Sequence, residues 1–446
     1  MKLPERPPTR NNETLPIEKV MELFENTEIN RKLGNLDGSM YPYWEKFKYH
    51  TAKWDGDPKT LWAYNKFLRT KSQVHLSIFD SPNFHFTLNS PSKILQLLHE
   101  FDMNLGGKLE GGGLIPPEDK NRFLISSIME EAIASSQLEG AVTTREVAKE
   151  MLKSERKPRN ISEKMILNNY LTIKKIAELK NKKFSKQLIQ EIHSTIAKDT
   201  LETQGKEGVW RTNNNVNVVD SDSGNIVYSP PSFEQIEELM DAFCEFANDS
   251  SNKAVFIHPI AKAIILHFLI GYIHPFVDGN GRTARAIFYW YLMSKGYWLV
   301  EYLSISRIIV RSPVKYAKSY LYTEYDENDL TYFVYFNLRA MNLAMIDLQN
   351  YIKRKIDEKK SLYSLIKFEN INERQAEILR ELINYPDKAF TIKGIQNQFA
   401  ITYQTARTDL TGLVQLGYLQ INDLNKKILF FKSKTFDTQI EKLSLK

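Results

Sequence analysis

A single cysteine, Cys244, stands in the 446 residues of the chain. That excludes an internal disulfide and a cysteine-built zinc site, and makes a reducing cytoplasm the expected location. Long hydrophobic runs are missing as well. The most apolar stretch, AKAIILHFLIGYI from Ala261 to Ile273, is too short to cross a bilayer and is broken by His267. The first ten residues, MKLPERPPTR, lack the apolar segment of a secretory signal, so a soluble chain with no membrane partner is expected. An excess of one charge is also lacking: 60 Lys and Arg face 54 Asp and Glu, a net +6, too little to argue for nucleic acid on its own. There is no internal repeat. At this length one core does not suffice, and two or three domains are expected.

What the chain does have is IHPFVDGNGRTARAI, Ile273 to Ile287. A histidine, an acid, a Gly-Asn-Gly turn and two arginines fall within a dozen residues, between two apolar segments of helical periodicity. Gly279 and Gly281 free the backbone on either side of Asn280, so successive N–H groups can converge on an anion. The turn opens into a helix whose unpaired first amides and dipole add to that attraction. Arg282 and Arg285, three apart, share one face of its first turn, which suits a polyphosphate. His274 ends the preceding helix and can take a proton near neutral pH. Asp278 offers the hard oxygen that Mg²⁺ wants beside phosphates. Taken singly, these are a core histidine, a helix cap and a solvated face. Jointly they describe a nucleotide phosphate site.

HPFVDGNGRTAR resembles the Fic signature HxFx(D/E)GNGRxxR at every specified position. The resemblance implies a mainly α fold: a Fic-type helical core with a β-hairpin flap, and an enzyme that moves AMP from ATP onto a Ser, Thr or Tyr hydroxyl of a target protein, itself included. On that pattern His274 is the general base, Asp278 the Mg²⁺ ligand, and Phe276 a core anchor. Gly279, Asn280, Gly281 and Thr283 line the nucleotide, and Arg282 and Arg285 hold its outer phosphates. Some relatives move phosphate, other nucleotidyl groups or phosphocholine instead.

Ahead of this core, RFLISSIMEEAIASSQLEG carries a helical apolar stripe ended by Gly140. Glu139 at its end is by itself a solvated acid, slightly unfavourable against the dipole. SSQLEG, however, resembles the inhibitory motif (S/T)xxxE(G/N) of Fic proteins, matched by Ser135, Glu139 and Gly140. The resemblance implies that Glu139 pairs with Arg285 and blocks the γ-phosphate, through a helix at about residues 122–139 of the same chain. A carboxylate can form a charge-assisted pair with the guanidinium that a phosphate would need. The resemblance also leaves room for Glu139 to assist removal of AMP.

VNVV, DSDSG and NIVYS, residues 216–229, read as two short strands around a turn. An exposed strand edge is a template for an extended peptide, and the position resembles the Fic flap. His193, on the helical stretch SKQLIQEIHSTIAKDTL, reads as packing or surface, and His258 and His267 as shaping the central helix. The chain is expected to divide into an N-terminal helical and aromatic region (1–90), a Fic core (91–360) with its catalytic loop at 274–285, and a C-terminal domain (371–435). Trp44, Trp54 and Trp62 read as a packed layer more than a base-stacking platform, KLEGGGLIPPEDK as a hinge or loop, and TTREVAKEMLKSERKPRN as solvated surface.

Beyond residue 371, three helical patterns and a hairpin resemble a winged helix-turn-helix, a small α+β unit with TYQTARTDLTGL as recognition helix. Thr402, Gln404, Thr405, Arg407, Lys426 and Lys427 are candidate DNA contacts. Arg407 is the only positive charge on that helix, Asp409 is expected to offset it in part, and winged folds also dock proteins. Two functional classes follow: a protein adenylyltransferase, or a DNA-binding regulator that senses nucleotide. The regulator has no need of His274. The target, the base preference and a homodimer stay open.

Overall fold

The computed structural model describes residues 1–8, 16–76, 78–79, 85–105, 120–203, 205–219, 224–248, 255–366, 371–424 and 427–438. The glycine-rich stretch 108–119, the flap turn at 220–223 and Lys426 lie outside the described residues. The fold is mainly α. No helix among the described residues is long and apolar enough to cross a membrane. The chain separates into two compact units, 1–110 with 130–142 and 161–344, and 111–129 with 143–160 and 345–446.

The first unit is built around the helix Pro259–Ile273, twelve of whose residues are buried. His258 caps its start through Nδ1, which accepts from the Ile260 amide, while Nε2 meets Asp102 at 3.0 Å. His267 is buried against the Tyr316 hydroxyl at 2.8 Å, and burial pushes its imidazole down to about 3. Both histidines are structural. The partner helix Asn280–Ser294 has thirteen buried residues, and the close packing of the pair brings Pro275, Phe276 and Gly279 of their loop into the interior while Val277 and Asp278 stay exposed. Helices Ile161–Glu178 and Lys186–Ala197 pack behind them, the second capped by Ser185.

The N-terminal aromatics form a packed layer. Trp62 is buried against Trp44 at 5.7 Å and Phe47 at 5.0 Å, both edge-on, an arrangement that leaves no stacking platform. Trp54 packs at its margin. Tyr332 belongs to the same cluster. At its centre Arg69 is 3% exposed. It donates to both Asp37 oxygens at 2.8 Å, to the Tyr332 hydroxyl at 2.7 Å and to the Pro42 carbonyl at 3.0 Å.

The sequence patterns missed several elements. Val74–Leu76 and Phe86–Leu88 pair antiparallel, strands of three residues too short to show alternation. TTREVAKEMLKSERKPRN contains the helix Arg145–Ser154, capped by Thr144, with Ala148, Met151 and Leu152 buried. Its high charge hid a narrow apolar stripe.

In the second unit, helices Glu373–Asn384, Ile392–Phe399 and Tyr403–Gln415 precede an antiparallel hairpin, Leu419–Leu424 with Lys427–Lys432. Phe390 bridges to Phe430 with reciprocal bonds of 2.8 and 2.9 Å. Gly417, at φ +80°, ends the third helix: Tyr418 N–H bonds Leu413 and Gly417 N–H bonds Val414, a Schellman close. Asp409 faces inward, 2% exposed, and accepts from Arg374 Nε at 2.6 Å and Asn372 Nδ2 at 2.7 Å. It therefore does not offset Arg407, contrary to the expectation from sequence.

Replacing Arg69 with Leu should leave Asp37 without its cation and cost about 3–5 kcal/mol. Chemical denaturation would show it; an unchanged midpoint would mean that the cluster tolerates the bare acid.

Candidate active site

The central helix ends on His274, whose backbone is left-handed, φ 50° and ψ 57°. A non-glycine residue there is uncommon and is held only by its surroundings. The hold is visible. Arg211, 3% exposed, donates Nε to the His274 carbonyl and its own amide to the Pro275 carbonyl, both at 2.9 Å. It also bonds the Asn213 carbonyl at 3.0 Å and the Pro231 carbonyl, joining the loop to both ends of the hairpin segment. His274 Nδ1 faces the Gly271 carbonyl at 3.3 Å. An Nδ1–H donated there leaves the Nε2 lone pair as acceptor, and burial lowers the imidazole below its usual value, keeping it neutral and basic near pH 7.

Asn280 staples the loop from inside. Its Oδ1 accepts from the Phe276 amide at 3.0 Å and its Nδ2 donates to the Phe276 carbonyl at 2.9 Å. Phe276, fully buried, stacks on the imidazole of His193 at 3.6 Å and 3°. His193 Nδ1 accepts from the Gly208 amide at 2.9 Å, so its Nε2 carries the proton that meets the Asp278 carbonyl at 2.8 Å. Burial pushes His193 down to about 4, consistent with that neutral tautomer. His193 is thus packing, and it also sets the height of the loop.

Gly279, at φ +81°, begins the helix Asn280–Ser294. The first intrahelical bond is Thr283 N–H to the Gly279 carbonyl, so the amides of Asn280, Gly281 and Arg282 precede the helical ladder and are available to an anion. Over Gly281 lies the Glu139 carboxylate: a Cβ added there would stand 2.8 Å from its Cδ. Arg285, 4% exposed, donates Nη2 to Glu139 Oε1 at 2.8 Å, Nε to Ser135 Oγ at 2.8 Å and Nη2 to the Ser135 carbonyl at 2.9 Å. Burial opposes ionisation of Glu139, but Arg285, with Arg282 and His274 beyond it, holds the carboxyl below its ordinary value.

Glu139 follows the helix Lys120–Leu138. Ala141 N–H bonds Ser136 and Gly140 N–H bonds Gln137, with Gly140 at φ +91°: a Schellman close that aims Glu139 at the loop. Two turns upstream, buried Glu131 accepts from the Ser306 amide at 3.0 Å and Ser304 Oγ at 3.1 Å.

Arg282 takes a different direction from Arg285. Its side chain is 0% exposed, with Nη1 on the Ile196 carbonyl at 3.3 Å and Nη2 on Asp278 Oδ2 at 3.4 Å. Its Nε and the Thr283 hydroxyl are buried with no hydrogen-bond partner among the described residues. Unmet buried donors invite an acceptor, and a phosphate meets that need. Asp278 accepts from the Gly279 amide at 2.6 Å and is 55% exposed at the loop's mouth, free to add an oxygen to a cation held mainly by phosphates.

The structure thus brings together His274, Asp278, Gly279, Asn280, Gly281, Arg282, Thr283, Arg285, Ser135 and Glu139. The strands Val218–Val219 and Ile226–Tyr228 pair antiparallel beside them with a bulge. Val219 and Ile226 are 55% and 58% exposed. Sequence reasoning missed the supporting roles of His193 and Arg211. A histidine in the apolar stripe Leu188, Ile189, Ile192, Ile196 was a signal, because a buried imidazole needs partners. Arg211 offered none.

His193 stays neutral when folded down to about pH 4, whereas unfolded it takes a proton near 6.5. Its contribution to stability should therefore be complete above pH 6.5 and fall by an amount on the order of 3 kcal/mol as pH drops toward 4. Urea melts at pH 7 and 4.5 should show a shallower pH dependence for His193→Gln; equal slopes would remove His193 as the source.

Residues 183–292 match the model of the Fic/DOC family. Over 68 residues the chain is 43% identical to a protein named protein adenylyltransferase Fic from Nematostella vectensis, covering 15% of this chain and 16% of that one. Over 128 residues it is 33% identical to the protein of the same name from Drosophila mojavensis, covering 27% and 24%. The matched segments thus span a quarter or less of these curated relatives. The chain is also similar to the solved structure of Fic-1 from C. elegans, at 17% identity and TM-score 0.48, covering 77% of this chain and 88% of that one. The signature loop lies inside the segment that matches the family model: residues 183–292 are a Fic/DOC family domain.

Proposed function

We infer that the chain is a protein adenylyltransferase, which in the cytoplasm transfers AMP from ATP to a Ser, Thr or Tyr hydroxyl of a target protein and is held in check by Glu139. The observation that carries this reading is the seat of one carboxylate: Glu139 lies over Gly281 and on Arg285, where a triphosphate aligned along the helix start would put its outer phosphate. Beside that seat stands His274 with Nε2 as acceptor, a group that mere phosphate binding does not require.

In the proposed reaction the target hydroxyl oxygen attacks the α-phosphorus, its proton passes to His274 Nε2, and the bond to the bridging oxygen breaks to release pyrophosphate. The base contributes about two to four orders of magnitude. The amides of Asn280, Gly281 and Arg282 and the donors of Arg282 and Arg285 stabilise charge on the phosphates. Asp278 would hold Mg²⁺, which supplies neutralisation of the phosphate oxygens. The exposed strands Val218–Val219 and Ile226–Tyr228 suit an extended target segment added along their edge. Transfer of another nucleotidyl group, and Glu139-assisted removal of AMP, use the same seats.

In the chain carrying Glu139→Gly, labelling of the protein itself or of a partner in Mg²⁺ and ATP should rise about ten- to a hundredfold, the effect of losing one strong charged pair. Adding His274→Ala should abolish it. Mass spectrometry after incubation with each of the four nucleoside triphosphates names the group moved. Equal labelling by the parent and Glu139→Gly, at equal folding, would remove the brake; labelling without His274 would remove the mechanism.

A second reading concerns the three-helix and hairpin segment of the second unit. With Asp409 occupied by Arg374, Arg407 has no ion-pair partner among the described residues and stands beside exposed Tyr403, Gln404 and Thr408, which suits duplex DNA. Filter binding of random duplex should then weaken steeply between low and moderate salt. Retention that ignores salt would point to protein docking instead.

A further inference from the structure

Residues 130–142, which carry Ser135 and Glu139, belong to the first unit, but the chain enters them from the second unit and returns to it. On the return side residues 140–143 join Glu139 to Thr144, and a stretch of that length spans at most about 14 Å. The Val142 amide pins it to Ser162 Oγ at 3.2 Å. Thr144 then caps the helix Arg145–Ser154, its side chain accepting from the Val147 amide. Whatever fixes that helix therefore limits how far Glu139 can turn.

The helix Ile392–Phe399 packs on Arg145–Ser154. Asn397 Nδ2 donates to the Lys153 carbonyl, and Lys393 Nζ meets Glu155 Oε2 at 2.6 Å. Glu155 closes the helix in a left-handed conformation, φ 50°, with its amide on the Met151 carbonyl. Lys393 and Glu155 are 53% and 54% exposed, so a competitor from solvent can part them. The neighbouring geometry says which competitor. Ile392–Phe399 leads through Ala400, Ile401 and Thr402 into Tyr403–Gln415. When a pair of helices joined in this way docks on a duplex, the second enters the major groove and the first crosses the phosphate backbone. Lys393, exposed in the first turn of the first helix, is then where a phosphate arrives. Phosphate and carboxylate compete for the same ammonium, and the phosphate repels Glu155.

We propose that duplex DNA on these two helices takes Lys393 from Glu155, loosens the helix Arg145–Ser154 and so frees Glu139 to leave Arg285, which makes DNA an activator of the transfer site. This rests on Glu139 as the brake and on the duplex reading of the second unit. The sign follows from the competition: Glu139 is seated while Lys393 is on Glu155, and a phosphate can only remove Lys393 from that pair. The helix Lys120–Leu138 keeps its hold on Ser304 and Ser306, and the movement is confined to residues 140–143 and the Glu139 side chain.

The test measures self-labelling of the chain in Mg²⁺ and ATP at low salt, with and without random duplex at a concentration that filter binding shows to be saturating. The duplex should raise labelling about two- to fivefold, the size of one exposed ion pair. Glu155→Gln should label at the raised rate without duplex and gain nothing from it. It should also retain duplex more tightly by the same factor, because coupling between two sites is reciprocal. Glu139→Gly, with no brake to lift, should not respond to duplex. Retained duplex with unchanged labelling of the parent overturns the inference and leaves the transfer and duplex readings intact. So does a rise that persists in Glu139→Gly or Glu155→Gln. Absence of salt-sensitive retention overturns the duplex reading and this inference together. Labelling of Glu139→Gly no faster than the parent overturns the brake and the inference with it, and no labelling of either chain overturns transfer itself.

Discussion

The pairing of Glu139 with Arg285 is the interaction on which the site's present shape depends. A glutamate just past a helix C-terminus meets the negative end of its own dipole, and the Schellman close leaves the last carbonyls already bonded. What favours it there lies in the other direction: the start of the helix Asn280–Ser294 with its positive end and free amides, and a guanidinium that is itself buried. Arg285 in turn would be a buried charge without a counter-ion. Ser135 and Glu139, four apart, grasp it from one helical edge with three hydrogen bonds. Each partner answers a cost the other creates, and any anion that takes Arg285 must answer it as well.

The supports of this pair differ in what they fix. Asn280, His193 and Arg211 hold the loop through backbone carbonyls and amides, so the cradle and the left-handed His274 are set regardless of what occupies them. The helix bearing Glu139 is tied separately, by Glu131 on Ser304 and Ser306 and by Asn169 Nδ2 on the Ala132 carbonyl at 3.3 Å. Burial raises the Glu131 carboxyl, and drawing that helix away would strip it of its serine partners. Exchange of carboxylate for phosphate is therefore least costly as a turn of the Glu139 side chain, beside a glycine with positive φ, with the helix left in place.

The loop from His274 to Arg285 was legible in the sequence because its chemistry is local: glycine, asparagine, acid and arginine lie within one turn and act on one another. The Glu139 helix was legible only through the resemblance of SSQLEG to a Fic motif, since read alone its glutamate is a solvated acid at a helix end. The scaffolding was not. His193 reaches Asp278 across 85 residues and Arg211 reaches His274 across 63, and no periodicity encodes such partners. The strands at Val74 and Phe86 are too short for alternation, and the stripe of Arg145–Ser154 is narrow among charges. Asp409 was placed on the right helix but on the wrong face, because three residues from Ala406 and four from Thr405 do not by themselves say which side the core claims.

On the proposed reading, the charges of the site let Glu139 slow transfer without emptying the cradle. Glu139 answers Arg285, but Arg282 is left with the Ile196 carbonyl at 3.3 Å, an exposed carboxylate at 3.4 Å and a buried Nε with no partner among the described residues. The Thr283 hydroxyl is equally unmet. So even with the carboxylate seated, the inner part of the site keeps a demand for an acceptor, and a nucleotide can satisfy it there while its outer phosphate is denied Arg285. Binding and productive alignment are then separable. In-line attack needs the leaving pyrophosphate opposite the hydroxyl, and a triphosphate turned aside by Glu139 lacks that line however firmly its inner phosphates are held. On that reading the Glu139 brake would fall on the rate of transfer more than on nucleotide affinity.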